Sequence, residues 1–161
     1  SCNFYDNSAD NAGAVLFVVD GIVDNCNFTD NSAFGDCGAV LIVRYGNATA
    51  CNFINNTANI DGGAIAMSSG SIANCNFINN SASNSGGAVY FLNNGDVLNC
   101  NFTGNKAISA SAICFFDLDA SSIKSITESL IICRYKMAFL CLDFHCYQVA
   151  TYSVKSCLLS E

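Results

Sequence analysis

The tripeptide Cys-Asn-Phe occurs five times, beginning at Cys2, Cys26, Cys51, Cys75 and Cys100, at spacings of 24, 25, 24 and 25 residues. Self-similarity at one period of this length points to a repeat architecture, whose units bury their apolar faces only against their neighbours. Aligned on the Cys, each position follows its own rule. The Phe two residues on is invariant, at Phe4, Phe28, Phe53, Phe77 and Phe102. Three residues after it stands Asn7, Asn31, Asn56, Asn80 or Asn105, and two further on an Ala. A Gly-rich tetrapeptide then follows, intact as Gly62-Gly63-Ala64-Ile65 and Gly86-Gly87-Ala88-Val89, altered at Ala12 and Cys37.

The spacing is physically legible. Side chains alternate along a strand, so Cys75 and Phe77 share a face. Ile72 lies three before Cys75 and would face the other way on a straight strand. A bend at Asn74 restores the parity, and Asn tolerates the left-handed backbone such a bend needs. The Gly pair opens a second corner, after which Val89 and Phe91 point inward. Short apolar strands broken by Asn, Ser and Gly, without a 3.6-residue period, exclude helices. The expected fold is all-β: a single-stranded parallel β-helix of 24–25 residues per coil, with three strands and three turns in each. Neighbouring coils would pair at roughly 4.8 Å, stacking like residues into Cys, Phe and Ala ladders. Corner Asn side chains would bond the Asn or the backbone one coil away.

All 21 Asn and all 12 Gly lie at or before position 105, and five of the six Lys/Arg lie after it. Regular coils are therefore expected over 1–116, with 117–161 as degenerate coils, a cap or a poorly ordered tail. Ile123-Lys124-Ser125-Ile126 and Val154-Lys155-Ser156-Cys157 echo Val97-Leu98-Asn99-Cys100, and Ala138–Phe144 and Val149–Val154 favour strand. Ser1 falls inside a repeat, with no signal peptide before it, so a segment of a longer protein is expected.

Net charge is −7, and residues 1–105 contain a single cation, Arg44. No basic stripe exists to neutralise phosphates or to dock on anionic lipid. No run of 18 apolar residues offers a membrane span. Neither a nucleic-acid partner nor a transmembrane segment is expected.

The alternation of Gly-Gly-Ala-[Ile/Val] with Phe-x-x-Asn resembles the repeats of chlamydial polymorphic outer-membrane proteins. It is also similar to adhesin-like surface proteins of methanogenic archaea and of some protists. The resemblance covers about residues 1–116. It implies a right-handed parallel β-helix of the pectin-lyase-like type, secreted or displayed at a cell surface and acting in adhesion.

Candidate chemistry is sparse. Stacked Cys lie within the Cα range of a disulfide, but parallel side chains favour free, buried thiols. No Cys-x-x-Cys occurs. His145 is the one His, and Cys141, Asp143 and Cys146 beside it come from one segment, whereas zinc sites draw on several. Asp6 and Asp30 occupy equivalent positions, but Asn55, Asn79 and Gly104 replace them later, so they read as turn residues rather than as a catalytic carboxylate cluster. Asn-x-Ser/Thr triplets at Asn27, Asn47, Asn55, Asn79 and Asn101 are acceptors for N-linked sugar in a surface protein. No catalytic, cofactor or metal residue is expected. The reading is a non-enzymatic, adhesin-like surface or secreted repeat protein that contacts glycans or proteins of another cell. The alternative is a fragment of a carbohydrate-active β-helix enzyme, a polysaccharide lyase or glycoside hydrolase, whose catalytic coils lie outside the chain.

Overall fold

The computed structural model describes residues 1–116 and the strands Ser122–Thr127 and Ile132–Arg134. The described residues form an all-β solenoid of about five turns. Among the described residues every strand pair is parallel, each residue lying beside its counterpart 24 or 25 positions on through most of the coils: Phe4 pairs Phe28, Phe28 pairs Phe53, Phe53 pairs Phe77 and Phe77 pairs Phe102. Among the described residues no helix is long and apolar enough to cross a membrane.

Three left-handed corners turn each coil. The first precedes the Cys, at Asn25, Ala50, Asn74 and Asn99, with φ between 51° and 55°. The second follows the Phe by two residues, at Asp6, Asp30, Asn55, Asn79 and Gly104. The third is the first position of the Gly pair, held by Ala12, Cys37, Gly62, Gly86 and Ala110. Left-handed backbone costs an ordinary L-residue about 1–2 kcal/mol, and Gly, Asn and Asp much less. That preference explains which residues recur at these corners. The Asp6 and Asp30 column is thus built into the backbone turn.

Between corners, alternate side chains point inward and stack. Phe4, Phe28, Phe53, Phe77 and Phe102 form a column with ring centroids 4.7, 4.9, 4.9 and 4.8 Å apart and planes within 7°. Phe28, Phe53 and Phe77 are fully buried. Burying one such ring contributes about 1.5–3 kcal/mol, and the stacked contact adds to it. Val40, Ile65, Val89 and Ile113 make a second column; Ile42, Met67, Phe91 and Phe115 make a third. A lone coil would leave both sides of every ring wet, so stability belongs to the stack.

The second residue of the Gly pair is fixed by closeness. A Cβ on Gly63 would lie 2.0 Å from the Gly87 carbonyl oxygen, and one on Gly38 2.1 Å from that of Gly63. Only hydrogen fits where the chain of one coil crosses so near the next.

The third strand departs from the expected three per coil. In the first and fourth coils it splits, into Val15–Phe17 with Gly21–Asp24, and Val89–Phe91 with Gly95–Thr103. In the two coils between, it is continuous, as Val40–Thr49 and Ile65–Ala73, with a register shift between Met67 and Ser69. A fourth bend lies there, marked by the column Gly21, Gly46, Gly70 and Gly95. A Cβ on Gly46 or Gly95 would run into the buried Ile42 or Phe91 side chain beside it.

Beyond the regular coils the pairing carries on. Ile123 lies beside Val97 and Ile126 beside Cys100, the register of the first echo. Ile132–Arg134 pairs with Ile113–Phe115. The second echo, the proposed strands at 138–144 and 149–154, and the His145 group lie outside the described residues.

Candidate contact surface

The recurring polar residues first serve the scaffold. The inner Asn column is hydrogen-bonded throughout. Asn56 Oδ1 accepts from the backbone N–H and Nδ2 of Asn31, at 3.1 and 2.9 Å. Its Nδ2 donates to the Phe28 carbonyl at 3.0 Å and to Asn80 Oδ1 at 2.9 Å. Two donors and two acceptor sites are all used, which is what a fully buried amide requires. Asn31, Asn80 and Asn105 repeat the pattern, reaching the Phe4, Phe53 and Phe77 carbonyls, and Asn7 begins the column by donating to Asn31.

Cys26, Cys51, Cys75 and Cys100 are buried with free thiols, and Cys2, in the first coil, is exposed. Cys51 and Cys75 each accept a backbone N–H from the preceding coil at 3.4 Å. Cys75, with Cys100 and Cys51 on either side and shielded from water, has its thiol pushed far up and stays protonated. Cys37 stands apart, at a left-handed corner. Burial pushes its thiol up to about 12, and its Sγ donates to the Val40 carbonyl and accepts from Ala66 N–H. Among the described residues no group of His, Cys, Asp or Glu converges in a way that could hold a metal ion.

A second Asn column lies on the outside, and sequence reasoning did not find it. Asn27 Nδ2 donates to Asn3 Oδ1 at 2.7 Å, Asn52 to Asn27 at 2.8 Å and Asn76 to Asn52 at 2.8 Å. The nitrogen that a sugar would modify on Asn27 is therefore engaged between coils. Asn55 and Asn79 are exposed at left-handed corners. Asn47 lies on the strand Val40–Thr49, and Asn101, half-buried, accepts from Thr103 at 3.4 Å. The invariance of the middle residue in Cys-Asn-Phe was the available signal.

The remaining outer surface is unusually apolar around the Gly21 bend. Val18, Val19, Ile22, Val43, Tyr45 and Leu92 all stand in solvent there, Ile22 with 71% of its surface exposed. Adjacent to this region, the outward column Leu16, Leu41, Ala66, Tyr90 and Cys114 contains a gap, because Ala66 is far smaller than the residues above and below it. The gap is a notch of about 290 Å³ walled by Leu41, Val43, Tyr90 and Leu92, with Asp36 and Asp61 at its rim. Asp61 Oδ1 accepts from Ser85 N–H at 2.8 Å and from Asn84 Nδ2 at 2.9 Å. Partial burial nevertheless raises its carboxyl above its ordinary value, and the like charge of Asp36 adds to this. The Tyr90 hydroxyl is raised by burial and then by the nearby carboxylate of Asp61.

Residues 50–68 and 74–94 match the Chlamydia polymorphic membrane protein repeat. These are the two coils in which Phe-x-x-Asn and an intact Gly-Gly-Ala stand together, at Phe53 to Ile65 and Phe77 to Val89. No curated protein and no solved structure gives a significant match to the chain.

Proposed function

We propose, from two coils that carry the Chlamydia polymorphic membrane protein repeat, that this chain is part of a cell-surface or secreted protein. Its role is to present a contact face to another cell, in the manner of an adhesin and without catalysis. The observation that carries the reading is the division of labour between inside and outside. The recurring residues go into corners and ladders, whereas the irregular outward positions are left to Ile22, Val43, Tyr45 and Leu92 in solvent. Exposed apolar patches on a rigid, regular support mark contact surfaces. The contacts are with proteins or glycans of the partner surface, and many weak ones in register sum to useful avidity.

Beads coated with the purified 161-residue chain test this. Wild-type beads should attach to cultured epithelial cells, and attachment should fall severalfold with a triple variant, Ile22→Asn, Val43→Ser and Tyr45→Ser. Asn is tolerated at the Ile22 position because Asn47 holds it in the next coil. Equal attachment by both chains, or by neither, sinks the reading. Release of oligosaccharides from polysaccharide substrates would instead favour a carbohydrate-active enzyme.

A further inference from the structure

The notch over Ala66 has features that a general contact face does not need. It is about 290 Å³, at or below the lower limit of drug-sized ligand pockets. That is room for one extended side chain and too little for an oligosaccharide. Its walls are aliphatic and aromatic, so an occupant's stem must be apolar. Its rim is negative, and the charged neighbour acting on Asp61 is another carboxylate, Asp36, rather than a cation.

We propose that this notch receives a lysine side chain of a partner protein, its methylene stem between Leu41, Val43 and Leu92 and its ammonium between Asp36, Asp61 and the Tyr90 ring. Lys is suited to the site because it buries an aliphatic stem while keeping the charged head at the rim. The two carboxylates supply charge complementarity, and the aromatic face adds a cation–π contact that strengthens as water is excluded. The position of the notch follows from the repeat: Leu41 fills the equivalent site one coil earlier and Tyr90 one coil later. Between Leu41 and Tyr90 the row thus has a gap at Ala66. The assignment rests on the contact-surface reading and gives it a chemical specificity.

The test is a titration of the ¹⁵N-labelled full chain, followed by amide shifts, with Nα-acetyl-lysine methylamide. Nα-acetyl-norleucine methylamide, which keeps the stem and lacks the charge, is the control. The lysine derivative should shift Leu41, Ala66 and Tyr90 at low millimolar concentration, and the norleucine derivative should bind about tenfold more weakly. Ala66→Leu, which copies Leu41 and should fold, should abolish the shifts. Asp36→Asn with Asp61→Asn should weaken them about tenfold. Equal shifts from both probes, shifts that survive Ala66→Leu, or no shifts in the wild type overturn the proposal. Bead attachment measured on the same proteins separates the two readings. Lysine shifts without attachment uphold the notch and defeat the surface role, whereas attachment without lysine shifts defeats the notch alone.

Discussion

Asn80 Oδ1 accepts two hydrogen bonds from Asn56 one coil earlier, from its backbone N–H and from its side-chain Nδ2, both at 2.9 Å. A carboxylate cannot reproduce this arrangement, since it has no donor for Asn80 Oδ1 or for the Phe28 carbonyl. Asn56→Ala should cost at least about 2 kcal/mol by orphaning buried partners. Asn56→Asp should cost more at neutral pH, because it also buries a charge. That charge holds the folded-state pKa of the new Asp above its unfolded value. Part of the loss should therefore return as pH falls through the carboxylate range and the side chain regains a proton to donate. Urea denaturation across pH checks both.

The two glycines of each pair should respond differently to the same change. Gly62 sits at φ +65°, yet three of its four counterparts are Ala12, Cys37 and Ala110. Gly62→Ala should therefore fold, with a loss of at least about 1–2 kcal/mol, since its Cβ would also lie 2.6 Å from the Ile65 carbonyl oxygen within the same turn. Gly63→Ala places a methyl group 2.0 Å from a backbone oxygen, and coils must separate to admit it. Its loss should be larger by several kcal/mol, read as the difference in urea midpoint between the two variants.

Ala50 is the weak corner in its column. It holds φ +52°, where Asn25, Asn74 and Asn99 stand in the other coils. Ala50→Asn should raise stability by up to about 1 kcal/mol. It should do so through a higher urea midpoint at unchanged slope. No gain would mean that the Asn preference at this corner has another origin.

Asp61 should oppose folding at neutral pH. Its folded-state pKa is raised, above all by burial, so the folded protein holds the proton more tightly than the unfolded chain. The penalty is present in full above the folded pKa and fades as pH drops through it toward the unfolded value. Asp61→Asn retains an oxygen for Ser85 N–H and Asn84 and removes the charge. The variant should melt at a higher temperature than wild type at pH 7, and the gap should close in acid. A gap of the same size at every pH would contradict the assignment.

Much of the fold was legible because the repeat compares the chain with itself. Asn25, Asn74 and Asn99 pointed to a bend through parity alone, and the Phe and Asn columns followed. What stayed hidden depends on distances between coils, which local preference does not encode. Gly63 looks like a flexible turn residue until the Gly87 oxygen is placed beside it. Asn27 looks like a free outward amide until Asn3 and Asn52 bracket it. The Gly21, Gly46, Gly70 and Gly95 column was visible in the spacing, yet its bend needed the bulky Phe91 and Ile42 side chains beneath it for a reason. The notch required knowing that Leu41, Ala66 and Tyr90 share one row, which only the strand register supplies.

The hydrogen bonds between coils run along the solenoid axis, and the cysteines of the described coils are free. No covalent tie therefore joins one layer to the next except the single climbing chain. Tension applied to the two ends meets these layers in series, and they give way one at a time. Each layer that peels off releases about 80 Å of slack. A pull along the axis would thus be absorbed by lengthening, with the remaining layers still folded.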